Sequence, residues 1–164
     1  MAEFSFDVVS KIDLQEVLNA IQQSMKEIKQ RFDFKGSKSD LELDQDKSLI
    51  TIISDDEFKL KSVIDILESK LIKRKVPIKA ITYGTIEDAA GSTVRQVATL
   101  QQGIPTEKGK EIVKIVKNAK LKVQTEIQKD QLRIRAKKKD DLQAVISFLK
   151  EKDLGIHVEF VNYR

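Results

Sequence analysis

Leu121-Lys-Val-Gln-Thr-Glu-Ile127, Gln128-Lys-Asp-Gln131, Leu132-Arg-Ile-Arg-Ala-Lys137: this stretch decides the fold. Leu121, Val123, Thr125 and Ile127 alternate with Lys122, Gln124 and Glu126. Leu132, Ile134 and Ala136 alternate with Arg133, Arg135 and Lys137. Successive strand residues point to opposite faces, so each run offers one face to a core and one polar face to solvent. The polar tract between them turns the chain, and the pair reads as a β-hairpin.

The same logic extends outward. After the hairpin, Leu142, Val145, Ile146 and Leu149 follow helical spacing, and a strand is predicted near Val158–Val161. Before it, a helix follows Pro105 and Thr106, with Ile112, Val113, Ile115, Val116 and Ala119 apolar and Gly109 weakening its first turns. A strand is predicted over Thr93–Leu100. The order is β-α-β-β-α-β.

The first half has the same order. Phe4, Phe6 and Val8 read as a strand, and Leu14, Val17, Leu18, Ile21, Met25 and Ile28 as a helical face. Leu41 and Leu43 pair with Leu49–Ile53 as a hairpin, and Phe58, Leu60, Val63, Ile64, Leu67 and Leu71 form a second helix that Pro77 stops. A strand over Ala80–Tyr83 closes the set. Asp13 with Glu16, and Ser54 with Glu57, have capping-box spacing. The halves match at about 83–85 residues, with Leu49 answering Leu132 and Asp55-Asp56 answering Asp140-Asp141. That period is too long for a solenoid repeat. The predicted fold is α+β: two tandem ferredoxin-like (split β-α-β) domains, each an antiparallel four-stranded sheet with two helices on one face. The glycines and acids of 84–92 place the junction there, giving domains 1–88 and 89–164.

Composition bounds the function. No run approaches the ~20 apolar residues of a membrane span, and Met1–Asp7 has no basic head or apolar segment of a secretory signal. A cytoplasmic protein without a membrane partner is expected. With no cysteine and one histidine, His157, the 164 residues offer no thiol nucleophile, Ser–His–Asp triad or metal cluster built on those residues. Asp55-Asp56-Glu57 and Asp140-Asp141 fall at predicted helix starts, where carboxylates favour the helix dipole. There is no Walker loop or G-x-G-x-x-G turn. A non-enzymatic protein without cofactor or metal is expected.

Charge points instead to an anion. Residues 1–88 carry 14 Lys+Arg against 17 Asp+Glu, net −3, and residues 89–164 carry 16 against 9, net +7. Three features suit an anionic ligand. Arg31, Phe32, Phe34, Lys35 and Gly36 set two aromatic rings beside cations and a glycine, although the two Phe serve equally as core residues at a helix-to-strand corner. Lys122 and Gln124, with Arg133, Arg135 and Lys137, form a basic platform of ~20 Å if both polar rows share a face; the alternative is a solvated sheet face. Lys137, Lys138 and Lys139 lead into a helix start, where backbone N–H groups favour phosphate; the alternative is a charged loop. Lys120, just before the hairpin, is a further candidate. The arrangement is similar to RNA-recognition domains, but Lys122, Gln124, Arg133 and Arg135 stand where those carry stacking aromatics. Backbone-directed contact with nucleic acid remains as a second reading, and an interaction scaffold as a third.

Phe4-Ser-Phe-Asp-Val-Val-Ser10, Arg31-Phe-Asp-Phe-Lys-Gly36, Lys120-Leu-Lys-Val-Gln124, Asp141-Leu-Gln-Ala-Val145 and Asn162-Tyr-Arg164 resemble the YajQ family of small bacterial proteins over essentially the whole chain. That resemblance implies two tandem ferredoxin-like domains and a nucleotide ligand. Some members are implicated as receptors for cyclic di-GMP, so a cyclic dinucleotide is one expected partner.

Overall fold

A computed structural model describes residues 3–164. The chain divides into two compact units. Ile12–Gln101 forms one, and the residues up to Lys11 join Gln102–Arg164 in the other.

The discontinuous unit holds β1 (Phe4–Val9), α3 (Thr106–Asn118), β7 (Gln124–Gln128), β8 (Gln131–Ala136), α4 (Lys139–Glu151) and β9 (Glu159–Val161). Its antiparallel sheet has the order β7-β8-β1-β9, with Phe6 opposite Ile134 and Asp7 opposite Arg133. This is the ferredoxin-like order. Phe6, Val8, Leu132 and Ile134 are buried in one cluster with Ile112 and Val116 of α3 and Val145 and Leu149 of α4. Gly109 packs α3 closely on the sheet: a Cβ there would stand 3.4 Å from the Leu132 side chain, an ordinary packing contact.

The continuous unit holds α1 (Leu14–Gln30), β2 (Asp40–Asp44), β3 (Leu49–Ser54), α2 (Glu57–Lys73), β4 (Ile81–Tyr83), β5 (Glu87–Ala89) and β6 (Thr93–Leu100). Its sheet runs β2-β3-β6-β4, with β5 also paired to β6. Ile50, Ile52, Ala98 and Leu100 pack on Val17, Ala20 and Ile21 of α1 and Leu60, Val63 and Leu67 of α2. Asp13 caps α1, accepting from Gln15 N at 3.0 Å and Glu16 N at 3.4 Å.

The repeated order is present, and the fold is α+β with two antiparallel sheets, one of four strands and one of five. The division at residues 88/89 is corrected, because the opening strands are exchanged. β1 sits beside β8, in the sheet of the second half; β6 sits beside β3, in the sheet of the first half. A cut at 88/89 would strand both. The segment 84–92 is a bulged hairpin rather than a linker. Tyr83 faces Ala98, Gly84 N donates to Val97 O at 2.8 Å, and β5 resumes one residue out of step with Glu87 opposite Arg95. The turn then uses positive φ at Gly91 (72°) and Ser92 (60°).

Two further expectations shift. The equivalent buried triplets are Ile50, Ile52, Ser54 and Leu132, Ile134, Ala136. Leu49 therefore does not answer Leu132, since a one-residue slip turns a side chain to the other face. Asp55-Asp56 consequently answers Lys137-Lys138, not Asp140-Asp141. Ser54 is a buried strand residue, and Asp56 caps α2, accepting from Lys59 N at 2.7 Å.

Candidate functional site

The exchange redistributes charge. The discontinuous unit carries 16 Lys+Arg against 11 Asp+Glu, and the continuous unit 14 against 15. The basic excess lies in the discontinuous unit.

The expected open basic platform on this sheet is corrected to a mixed one. Arg133 Nε donates to Asp7 Oδ1 at 2.9 Å, and Asn162 Nδ2 donates to the other oxygen at 2.8 Å. Asp7 is 1% exposed. Burial pushes its carboxyl up, but hydrogen bonds from Arg133 and Asn162 outweigh this and hold it below the usual carboxylate range. Arg135 lies 3.0 Å from Glu126. Neighbouring strands therefore neutralise both arginines, which strand alternation alone could not reveal. Lys122 precedes the β7 ladder, which begins at Gln124.

What survives is an open cavity of about 400 Å³ at the end of the sheet where β8 meets α4. Lys122, Gln124, Arg135, Lys137 and Lys138 line it, over Leu121, Val123 and Ala136. Glu3 and Asp141 also line it and were not expected as ligand-binding residues; Glu3 is an exposed acid with no motif around it, and Asp141 was read only as a helix-start carboxylate. Lys122, Lys137 and Lys138 form no ion pair with another described residue, so their charges are available. Lys139 lies outside this cavity, with Nζ 5.9 Å from the Phe4 ring centroid. Lys120 ends α3 in the left-handed region, φ 56°, and does not line the cavity.

The turn is unlike its counterpart. In the continuous unit, Asp55 accepts from Ser37 Oγ and from Lys38 N at 3.0 Å, which lowers its pKa, and Asp56 caps α2. In the discontinuous unit, Lys137 and Lys138 hold those places. Lys138 is the N-cap residue of α4 and supplies no side-chain cap bond. The first N–H groups of a helix lack intrahelical partners, and here two cations flank them.

Arg31, Phe32, Phe34, Lys35 and Gly36 belong to the continuous unit. Phe34 is buried in its core, as one of the two readings held, whereas Phe32 is 88% exposed. Arg31 forks onto Asp33 at 3.0 and 2.8 Å, and lies 5.4 Å over the Phe34 ring. Lys59 Nζ stands 4.8 Å from that ring and bonds Asp33 O. Both cations brace the corner. Gly36 takes φ 76°, and nothing stands within 4 Å of a Cβ built on it, so its need is conformational.

Among the described residues no group of three His, Asp or Glu could hold a metal ion, and His157 stands 3.3 Å from Glu159. No helix is long and apolar enough to cross a membrane.

A family model described as "Nucleotide-binding protein YajQ-like" matches residues 4–164. A protein of Desulfitobacterium hafniense named "Nucleotide-binding protein" is 59% identical over 160 residues, 98% of this chain and 97% of that protein. One of the same name from Geotalea uraniireducens is 58% identical over 160 residues, 98% of each chain. A nucleotide-binding protein of Koribacter versatilis is 58% identical over 164 residues, 100% of this chain and 99% of its own.

Proposed function

As the chain belongs to the YajQ-like family, we propose that it is a non-enzymatic nucleotide-binding protein that takes its ligand's phosphates in the cavity at the β8–α4 turn. The observation that carries this is the convergence of Lys122, Arg135, Lys137 and Lys138 on one cavity of about 400 Å³ beside an uncapped helix start. Three of those cations form no ion pair with the two acids that share the lining, Glu3 and Asp141, and so are open to a phosphate. The volume lies at the low end of the ~300–1,000 Å³ of small-molecule sites. It fits a mononucleotide, or one phosphate-bearing half of a cyclic dinucleotide. Among the described residues no Ser, Thr, His or Tyr lines the cavity, so it has no hydroxyl or imidazole nucleophile to turn over the ligand. The family's printed name supports a binding protein.

Calorimetric titration of the full chain with GTP, cyclic di-GMP and a short single-stranded RNA tests this. Lys137→Ser with Lys138→Ser removes charges from exposed positions. Each lost charge-assisted contact should cost about 1.5–3 kcal/mol of binding, roughly 10- to 100-fold in affinity. Unchanged affinity for every ligand that wild type binds moves the site elsewhere. Steep weakening with salt, and binding of RNA alone, would favour nucleic acid instead.

A further inference from the structure

A second cavity, of about 230 Å³, adjoins the first within the discontinuous unit. Three pairs of consecutive residues divide between the two: Glu3, Lys138 and Asp141 line the larger, while Phe4, Lys139 and Leu142 line the smaller. Consecutive Cα atoms stand ~3.8 Å apart. The start of β1 and the first turn of α4 therefore contribute to the lining of both.

The lining differs in chemistry. Both cavities carry cations, but the smaller adds to Lys139 and Arg164 the rings of Phe4 and Tyr163, the buried Leu142 as floor and the exposed amide of Gln143. Tyr163 is 59% exposed, yet it is held in place. Its ring centroid lies 6.0 Å from that of the fully buried Phe6. The residue before it, Asn162, takes φ 58° while its side chain bonds Asp7 at 2.8 Å. Arg164 N donates to Ser5 O at 2.9 Å, and Ser5 N to Arg164 O at 3.1 Å, which fixes the far side. The ring is thus anchored on both sides along the chain and presents exposed surface. Anchored aromatic faces favour stacking on a base, and a neutral amide can both donate to and accept from its edge. A volume below the ~300 Å³ of ordinary ligand pockets suits one ring system rather than a whole nucleotide.

We propose that this smaller cavity seats the nucleobase of the ligand whose phosphates occupy the larger one, with Tyr163 and Phe4 stacking and Gln143 reading the base edge. It rests on the phosphate assignment above. The two cavities then form a single bipartite site straddling the first turn of α4. A cyclic dinucleotide fills it with one base and the adjoining phosphate.

The experiment uses the full chain with GTP, ATP and inorganic tripolyphosphate as probes. Wild type should bind at least one nucleotide about tenfold tighter than tripolyphosphate. Tyr163→Ser should remove that advantage and leave tripolyphosphate binding unchanged, while Tyr163→Phe retains it. A second readout does not depend on a variant at the site. The chain has no Trp and two Tyr, so in Tyr83→Phe the emission comes from Tyr163 alone; nucleotide should quench it and tripolyphosphate should not. Equal affinity for nucleotides and tripolyphosphate, or unquenched Tyr163 with nucleotide bound, overturns the base seat alone. Tripolyphosphate binding that is absent, or indifferent to Lys137→Ser with Lys138→Ser, overturns the phosphate reading and the base seat with it.

Discussion

Residues 90–164 should not fold alone, and residues 12–101 should. The first fragment contains one complete run of β-α-β-β-α-β elements, but it lacks β1, an interior strand of its sheet, and carries β6, whose ladder partners are β3, β4 and β5. Removing β1 withdraws Phe6 and Val8, both fully buried, at about 1.5–3 kcal/mol each. It also removes a ladder that pairs five residues with β8, at ~1 kcal/mol net per hydrogen bond. Those losses match the whole ~5–15 kcal/mol stability of a domain. The second fragment keeps every member of its core, from Ile12 to Leu100. Urea titration followed by circular dichroism should give a cooperative transition for 12–101 and none for 90–164. Residues 3–11 joined through a short Gly-Ser linker to 102–164 should restore one, because Ser10 O accepts from Gly103 N at 2.5 Å and the two segments meet there. A cooperative 90–164 would refute the strand exchange.

Arg133→Ser leaves the buried Asp7 carboxylate with Asn162 alone and should destabilise the protein by about 1–3 kcal/mol, read by thermal or urea unfolding. The folded-state pKa of Asp7 is depressed, so its stabilisation is present above the unfolded value of ~3.9 and lost as pH falls through the folded one; wild type should lose stability below pH ~4 more steeply than Asp7→Asn. Gly103 has φ 90°, and a Cβ there would lie 2.6 Å from Asp130 Oδ2, so Gly103→Ala should lower the thermal midpoint by several degrees, whereas Gly36→Ala, in open space, should lower it only by the cost of a left-handed residue, ~1–2 kcal/mol. Lys138→Asp gives α4 the cap it lacks and should stabilise by ~1 kcal/mol, a rise of several degrees, while tripolyphosphate binding falls.

Element type was legible because the apolar rows are periodic: Leu132, Ile134 and Ala136 keep period two, and Leu142, Val145, Ile146 and Leu149 keep helical spacing. Which strand joins which sheet was not legible. Phe4–Val9 and Thr93–Leu100 are both β-rich openings of the same element order, and nothing local says which helix pair either one faces. Gly84 and Gly91 read as a linker because a bulge and a turn draw on the same residue for different reasons: a Cβ at Gly84 would stand 3.1 Å from Val97 O, and Gly91 takes φ 72°. At the site, the lysines of the β8–α4 turn were visible as a charge run. The neutralisation of Arg133 and Arg135 was not, since Asp7 is 126 positions away in sequence from the guanidinium it meets, and Glu126 looked like one more polar residue of its own strand. Tyr163 was within the words that carry the family resemblance, but its ring gains meaning only from Phe6 and the Asn162–Asp7 bond.

The two copies of one architecture differ at the turn where the ligand is proposed to sit. Both chains leave the third strand after a buried triplet and enter a helix two residues later. A helix start needs acceptors for its first N–H groups and favours negative charge. In the continuous unit that need is met from within: Asp56 caps, and Asp55 ties the turn to Ser37 and Lys38. In the discontinuous unit the same two places carry Lys137 and Lys138, so no side chain caps α4, and Asp140 and Asp141 in its first turn are the charges that meet the dipole. Two lysines at an uncapped start cost helix stability, as the Lys138→Asp prediction measures. A fold that already contains the stabilising solution in one copy, and its opposite in the other beside a cavity, is explained if the second copy's counter-charge arrives from outside. On the proposed function, that counter-charge is a nucleotide phosphate.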